Sequence, residues 1–325
     1  MNPHVSIIIP CYNQASLLPD AINSVIAQTL INWECIIVND GSTDNTADVS
    51  EKLAQTDARI RVINQKNIGL SGARNSGLKA ANGEFLQFLD ADDMLEPGKL
   101  KAHLTFLHEN RDIDIVFGDA RYFTTENPEL REFGINKKKS WIPEIWFSQG
   151  NPIEKFLNQN LFPVNCPLIR TTVFDIVGQW NVDLEAHEDW EFWLRCVATN
   201  IKIAYYQGPN CFALVRMHPQ SMSNDNLRMK RTNVKMRIVI GHLLKTSGLR
   251  IINFKKGLCQ LHSFNAPNIA KQALKLCRAN ISIKVLLSTL QFLYNFYVTK
   301  KIIKLYRKNI PWPVQKFLLK IFRIS

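Results

Sequence analysis

Short continuous apolar runs alternate with amphipathic stretches along the first 120 residues. Residues 5–9 form a β-branched apolar run closed by Pro10, and residues 35–38 form another closed by Asn39, Asp40 and Gly41. Residues 61–63 and 113–117 read as further strands, and residues 85–89 run straight into Asp90. Between them, residues 17–27, the segment opened by Thr43 and Asp44, residues 71–80 and residues 97–108 carry helical spacing. Apolar strands without polar alternation are covered on both faces, so this order predicts an α/β fold around a mostly parallel sheet flanked by helices. Ligands of such sheets bind beyond the carboxyl ends of the strands. Polar residues collect there: Asn13, Asp40, Asn67 and the Asp90 to Asp93 group follow the first four strands. Residues 121–160 read as irregular, with Lys137, Lys138 and Lys139 near Trp141 and Trp146. Residues 187–198 predict an amphipathic helix, 201–205 and 211–215 two strands, and helical spacing dominates from Leu227 onward.

Charge divides the chain more sharply than hydropathy does. The formal net charge is +12 over 325 residues, a length that suggests about two domains. Residues 1–225 hold 19 Lys and Arg against all 28 Asp and Glu, a net of −9. Residues 226–325 hold 21 Lys and Arg and no Asp or Glu, a net of +21. An acidic module, 1–225, is therefore expected to precede a basic helical region, 226–325, that meets something anionic. The seven cysteines are odd in number and form no CxxC pair, which points to reduced thiols rather than a disulfide framework. The opening MNPHVSIIIP lacks a basic segment, so no signal peptide is expected, and no apolar stretch is long enough for a clear membrane span.

Five segments carry candidate chemistry. In FLDADD, a buried strand delivers Asp90, Asp92 and Asp93 into one loop. Hard divalent cations such as Mg²⁺ and Mn²⁺ take oxygen ligands of this kind, completed by diphosphate oxygens. The bland alternative is an acidic turn capping the next helix. In VNDGSTDNT, Asp44 reads best as a helix cap, whereas Asp40 ends a buried strand and can accept from a nucleobase N–H. In NIGLSGARNSG, the helix start offers free N–H groups to an anion, and Arg74 lies one turn in. In HEDWEFWLRC, Glu188 and Asp189 open a helix, either as acids favourable to its dipole or as a general base near a diphosphate. Trp190 and Trp193 are spaced either to stack on a sugar or to fill the core. In RMHPQSMS, His218 follows a strand and is either structural or a metal ligand.

In this order and spacing, SIIIPCYNQ, VNDGSTDNT, NIGLSGARNSG, FLDADD and HEDWEFWLR resemble the family 2 glycosyltransferases, which are inverting, nucleotide-sugar-dependent enzymes of the GT-A fold. The resemblance spans roughly residues 3–225. It implies that Pro10, Tyr12 and Asn13 line a nucleoside pocket and that Asp40 holds the base, a UDP-sugar being the default donor. It implies that Asn67 and Arg74 close over the nucleotide. Asp90, with Ala91 beside it, would face the ribose, and Asp92, Asp90 and His218 would hold Mn²⁺ or Mg²⁺. Asp189 would be the catalytic base, supported by Glu188. The QxxRW motif of processive relatives is missing, so transfer of single sugars to a glycan or lipid-linked acceptor is expected, in cell-surface polysaccharide synthesis. A noncatalytic nucleotide-sugar-binding or scaffold protein of the same fold is the alternative.

The tail adds a location. Val314, Phe317, Leu318, Ile321 and Phe322 share one helical face, with Lys316, Lys320 and Arg323 on the other. That is the pattern of a helix lying in a membrane interface, and Lys300, Lys301, Lys304, Arg307 and Lys308 suit anionic lipid. A helical subdomain with a solvated basic face is the alternative. No nucleic-acid-binding motif accompanies the charge, so nucleic acid is not an expected partner. The expectation is a cytoplasmic protein held peripherally at the inner face of the plasma membrane.

Overall fold

A computed structural model describes residues 3–133, 139–146, 150, 152–219 and 221–225, with scattered helical positions between 228 and 240. Lys137, Lys138 and nearly all of the basic tail, including its amphipathic face at 314–322, lie outside the described residues. The chain divides into two compact units, Met1–Asp225 and Asn226–Ser325. Among the described residues, no helix is long and apolar enough to cross a membrane.

The first unit is built on a seven-stranded sheet of β1 (Val5–Cys11), β2 (Trp33–Asp40), β3 (Ile60–Gln65), β4 (Phe85–Phe88), β6 (Ile115–Phe117), β9 (Pro167–Arg170) and β10 (Ile203–Tyr205). Its order is β10-β6-β9-β4-β1-β2-β3. β1 is central, parallel to β2 and β4, and all seven of its residues are buried, which explains its unbroken apolar pattern. β1 continues through Pro10 to Cys11 rather than ending at the proline. The Ile8 carbonyl accepts from Leu89 N–H on the β4 side. Pro10, two residues on, faces the same side where β4 has already ended, so its missing N–H breaks no ladder.

Helices α1 (Leu18–Ile26), α2 (Thr46–Ala54), α3 (Leu70–Ala80) and α4 (Lys99–Glu109) connect these strands. On α1, Leu18, Ala21, Ile22 and Val25 form the buried stripe. α3 lies tightly on the sheet: a Cβ at Gly77 would come within 2.3 Å of Ile8 Cγ2. That close approach carries Arg74 into the interior.

Two features depart from the strand–helix alternation. β9 runs antiparallel between β4 and β6, with Phe85 opposite Arg170 and Leu86 opposite Ile169. A second sheet of order β5-β11-β7-β8 joins β5 (Met94–Leu95), β11 (Ala213–Arg216), β7 (Ala120–Thr124) and β8 (Asn127–Glu132). The segment 121–160, expected to be irregular, thus holds most of β7, all of β8 and α5 (Ile153–Asn158). β8 is a polar edge strand containing Pro128, so it lacks an apolar signature. Between β9 and β10 lie α6 (Thr172–Val177) and α7 (Glu188–Ala198).

Candidate active site

The carboxyl ends of β1, β2 and β4 meet the start of α7 and the end of β11. Asn13 follows β1 with φ 54°, a conformation asparagine tolerates. Its Oδ1 accepts from Thr43 N at 2.8 Å and its own N–H donates to Ser42 Oγ at 3.0 Å, so it ties the β1 and β2 loops together. Neighbouring Tyr12 is 47% exposed, and Pro10 is buried. Asp44 caps α2 through Thr46 N at 3.0 Å.

Asp40 is buried and organises the next loop. Its carboxylate accepts from Gln65 Nε2 at 2.7 Å, Ile68 N at 3.0 Å and Gly69 N at 2.9 Å. A carboxylate has about four lone-pair sites, so one remains for a ligand. Asn67 is exposed within this loop, and its backbone crowds Gly41, where φ is +70° and an added Cβ would lie 2.7 Å from Asn67 N.

The acid loop after β4 is clamped from both sides. Asn165 Oδ1 accepts from Asp90 N at 2.9 Å, and Asn165 Nδ2 donates to Asp93 Oδ2. From β11, Arg216 N donates to Asp93 Oδ1 at 2.7 Å and Arg216 Nε to the Asp92 carbonyl at 2.8 Å. Arg216 also reaches Asp20 Oδ2 on α1 at 2.7 Å. Asp93 therefore points inward and is structural, and burial pushes its carboxyl well above the ordinary range. Ala91 is buried in the same turn. Asp92 is left facing out, with its Oδ2 3.0 Å from His218 Nε2. The second sheet makes that meeting: β5 pairs with β11, so the loop before β5 lies beside the residues after β11.

A carboxylate oxygen and an imidazole nitrogen in hydrogen-bond contact, both partly open, suit Mn²⁺ or Mg²⁺ as a two-ligand platform. Among the described residues, no cluster of three or more His, Cys, Asp or Glu is arranged to hold a metal ion. The remaining ligands would have to come from diphosphate oxygens and water.

Arg74 joins the acid loop to α7. It is 1% exposed, with Nη2 2.8 Å from Asp90 Oδ1 and Nη1 2.6 Å from Glu188 Oε1. Burial would lower its pKa, but Asp90 and Glu188 together raise it above the ordinary arginine value. Burial in turn raises the Asp90 carboxyl, against the pull of Arg74. Each Nη spends one N–H on a carboxylate, and Nε is buried without a hydrogen-bond partner.

Beside Glu188, Asp189 accepts from Asn160 Nδ2 at 2.7 Å and from Trp190 N at 2.7 Å. Its pKa is pushed up to about 7, first by burial and then by the charge of Glu188, against Arg74 and Asn160. A carboxylate so tuned suits a general base near neutral pH. His187, just before α7, holds φ 59°, an uncommon backbone for a non-glycine residue. Trp190 and Trp193 belong to the core: Trp190 Nε1 donates to the Phe156 carbonyl at 2.6 Å, and Trp193 packs on Phe162 and Trp180. Stacking of either indole on a sugar is thereby excluded.

Sequence reasoning missed Asn165, Arg216 and Asn160. Asn165 had no signal in the sequence: the β4–β9 register, extended past Leu86 and Ile169, is what sets it opposite Asp90. Arg216 stood inside the RMHPQSMS segment, two residues before His218.

Known proteins resemble this chain in sequence and fold. Residues 6–176 match the model of the family described as Glycosyl transferase family 2. An uncharacterized glycosyltransferase of Bacillus subtilis, EpsJ, is 46% identical over 116 residues, 36% of this chain and 33% of that protein. The chain covers about a third of the length of the first curated relatives it matches. The crystal structure of residues 1–349 of Staphylococcus aureus TarS in complex with UDP-GlcNAc superposes with a TM-score of 0.67 at 19% identity, over 93% of this chain and 83% of that one. The mannosyltransferase PcManGT of Pyrobaculum calidifontis, in complex with GDP-Man and Mn²⁺, superposes with a TM-score of 0.58 at 18% identity, over 95% and 87%. The fold is that of the GT-A glycosyltransferases.

Proposed function

The chain belongs to glycosyl transferase family 2, and on that premise we propose that it is an inverting, metal-dependent glycosyltransferase. It moves a sugar from a nucleoside-diphosphate donor, UDP by default, to a hydroxyl of a glycan or lipid-linked acceptor in cell-surface polysaccharide synthesis. The observation that carries this reading is the Arg74 bridge, which brings the acid loop and the base-bearing helix into one crevice. TarS bound to UDP-GlcNAc and PcManGT bound to GDP-Man and Mn²⁺ support the donor class and the divalent cation.

Each group has a part in this reaction. Asp40, through its free lone pair, takes the base N–H, and Tyr12, Asn13 and Asn67 line the nucleoside end. Asp92 and His218 would hold the cation, which supplies positive charge against the charge developing on the diphosphate. Asp189 removes the proton from the acceptor hydroxyl. That oxygen bonds to the anomeric carbon as the bond to the diphosphate oxygen breaks on the opposite face, inverting the centre. Glu188 and Arg74 hold Asp189 beside the donor loop and set its charge environment. The +21 charge of the tail supports a location at the inner face of an anionic membrane, where a lipid-linked acceptor would meet the enzyme.

A thermal-shift panel of nucleotide-sugars with Mn²⁺ and with Mg²⁺ tests the donor reading. It predicts a rise in unfolding temperature for one nucleoside-diphosphate class that EDTA removes. No shift with any nucleotide-sugar would refute it.

A further inference from the structure

We propose that Asn165 is the positioning residue that sets the acid loop for its metal and diphosphate, a role that rests on the function proposed above. Asn165 is 1% exposed, and both ends of its amide are used on the loop: Oδ1 holds the Asp90 N–H at 2.9 Å, and Nδ2 holds the Asp93 carboxylate. Its backbone carbonyl accepts from Gln87 Nε2 at 2.9 Å. Gln87 Oε1 in turn accepts from Lys99 Nζ at 2.6 Å, and Lys99 on α4 is fully buried. A buried polar spine therefore runs from α4 through β4 to the loop.

A buried lysine and glutamine are costly unless hydrogen-bonded; here Gln87 Nε2 reaches the Asn165 carbonyl, and Lys99 Nζ meets Gln87 Oε1 at 2.6 Å and His103 Nδ1 at 3.5 Å. Asn165 is its terminal member. One rigid amide plane fixes the loop at two points, Asp90 N and Asp93 Oδ2, with Asp92 between them. Pinning both flanks leaves Asp92 as the side chain turned toward His218. Groups that orient metal ligands tune metal affinity, and removing one typically costs about 10–100-fold.

The test uses the full chain as wild type, Asn165→Ala and Asn165→Asp, with Mn²⁺ titrated by electron paramagnetic resonance in the presence of UDP. The dissociation constant for Mn²⁺ rises roughly 10–100-fold in both variants, while UDP affinity measured in EDTA stays at the wild-type value. Asn165→Asp is isosteric and keeps the acceptor for Asp90 N–H but loses the donor to Asp93, so it reports even if the alanine variant fails to fold. A residue that only stabilised the fold would lower the unfolding temperature and leave the Mn²⁺ affinity of folded protein unchanged. Folded variants with wild-type Mn²⁺ affinity overturn the proposal and leave the glycosyltransferase reading standing. A wild-type chain that binds no Mn²⁺ with UDP, GDP or dTDP overturns that reading, and the role of Asn165 falls with it.

Discussion

Arg74 Nη1 lies 2.6 Å from Glu188 Oε1, joining α3 to the first residue of α7 across 114 positions of sequence. The same guanidinium holds Asp90, so one buried cation bridges two carboxylates from two separate motifs. Breaking such a group by removing one partner is costly, because charge is left buried and uncompensated. Arg74→Met should destabilise the fold by about 3–5 kcal/mol in urea unfolding. Arg74→Lys should recover only part of that, since an ammonium cannot reproduce the planar fork. A loss below about 1 kcal/mol for Arg74→Met would place the pair among exposed bridges of little worth.

The base should show itself in the pH dependence of transfer. Asp189 acts only when ionised, and its pKa is pushed up to about 7, so kcat/KM should rise with pH through that value and then level. Asn160→Ala removes a hydrogen bond that favours the ionised form, which moves the rising limb to higher pH. Glu188→Gln removes a like charge, which moves it to lower pH. Profiles of kcat/KM between about pH 5 and 9 check both; shifts in the same direction for the two variants would contradict the assignment.

The same shift has a stability consequence. An ordinary aspartate ionises near 3.8, whereas folded Asp189 keeps its proton to about 7. Between those values the native state binds more protons than the unfolded chain, so this residue's contribution to stability falls as pH rises. Asp189→Asn should therefore flatten the pH dependence of the unfolding temperature across that window, a difference readable by calorimetry. An unchanged slope would mean that Asp189 is ionised in the folded state well below pH 7.

Much of this site could be read before the fold was seen, because strand ends announce themselves. Asp40 and Asp90 each follow a buried apolar run, and the topology brings them to the same carboxyl end of the strands, either side of β1. What could not be read was which polar groups face inward. Asp92 and Asp93 are alike in sequence, and only β11 and Asn165 decide that Asp93 is buried and Asp92 is open. Arg74 looked like a ligand contact because a helix start says nothing of residues 114 positions away. β7 and β8 escaped because an edge sheet with polar strands carries no apolar period.

The cation platform makes a separable prediction. Asp92→Ala and His218→Ala should each weaken Mn²⁺-dependent donor binding, with no comparable loss of nucleotide binding in EDTA. Equal activity of the wild type with and without EDTA would remove the metal from the reaction.

The tail is tested by flotation with vesicles. The full chain should float with anionic vesicles and not with neutral ones, and binding should fall as salt rises, as expected of charge attraction screened over about 10 Å at 0.1 M. Failure to float with anionic vesicles would sink the membrane reading and leave the catalytic one intact.

The most direct test of the central claim is release of nucleoside diphosphate from a panel of nucleotide-sugars in Mn²⁺, comparing the wild type with Asp189→Asn. The wild type should turn over one donor class, and Asp189→Asn should lose about 10²–10⁴-fold in rate while still binding that donor. Release at equal rates by both proteins, or from no donor by the wild type, would contradict an enzyme built around Asp189.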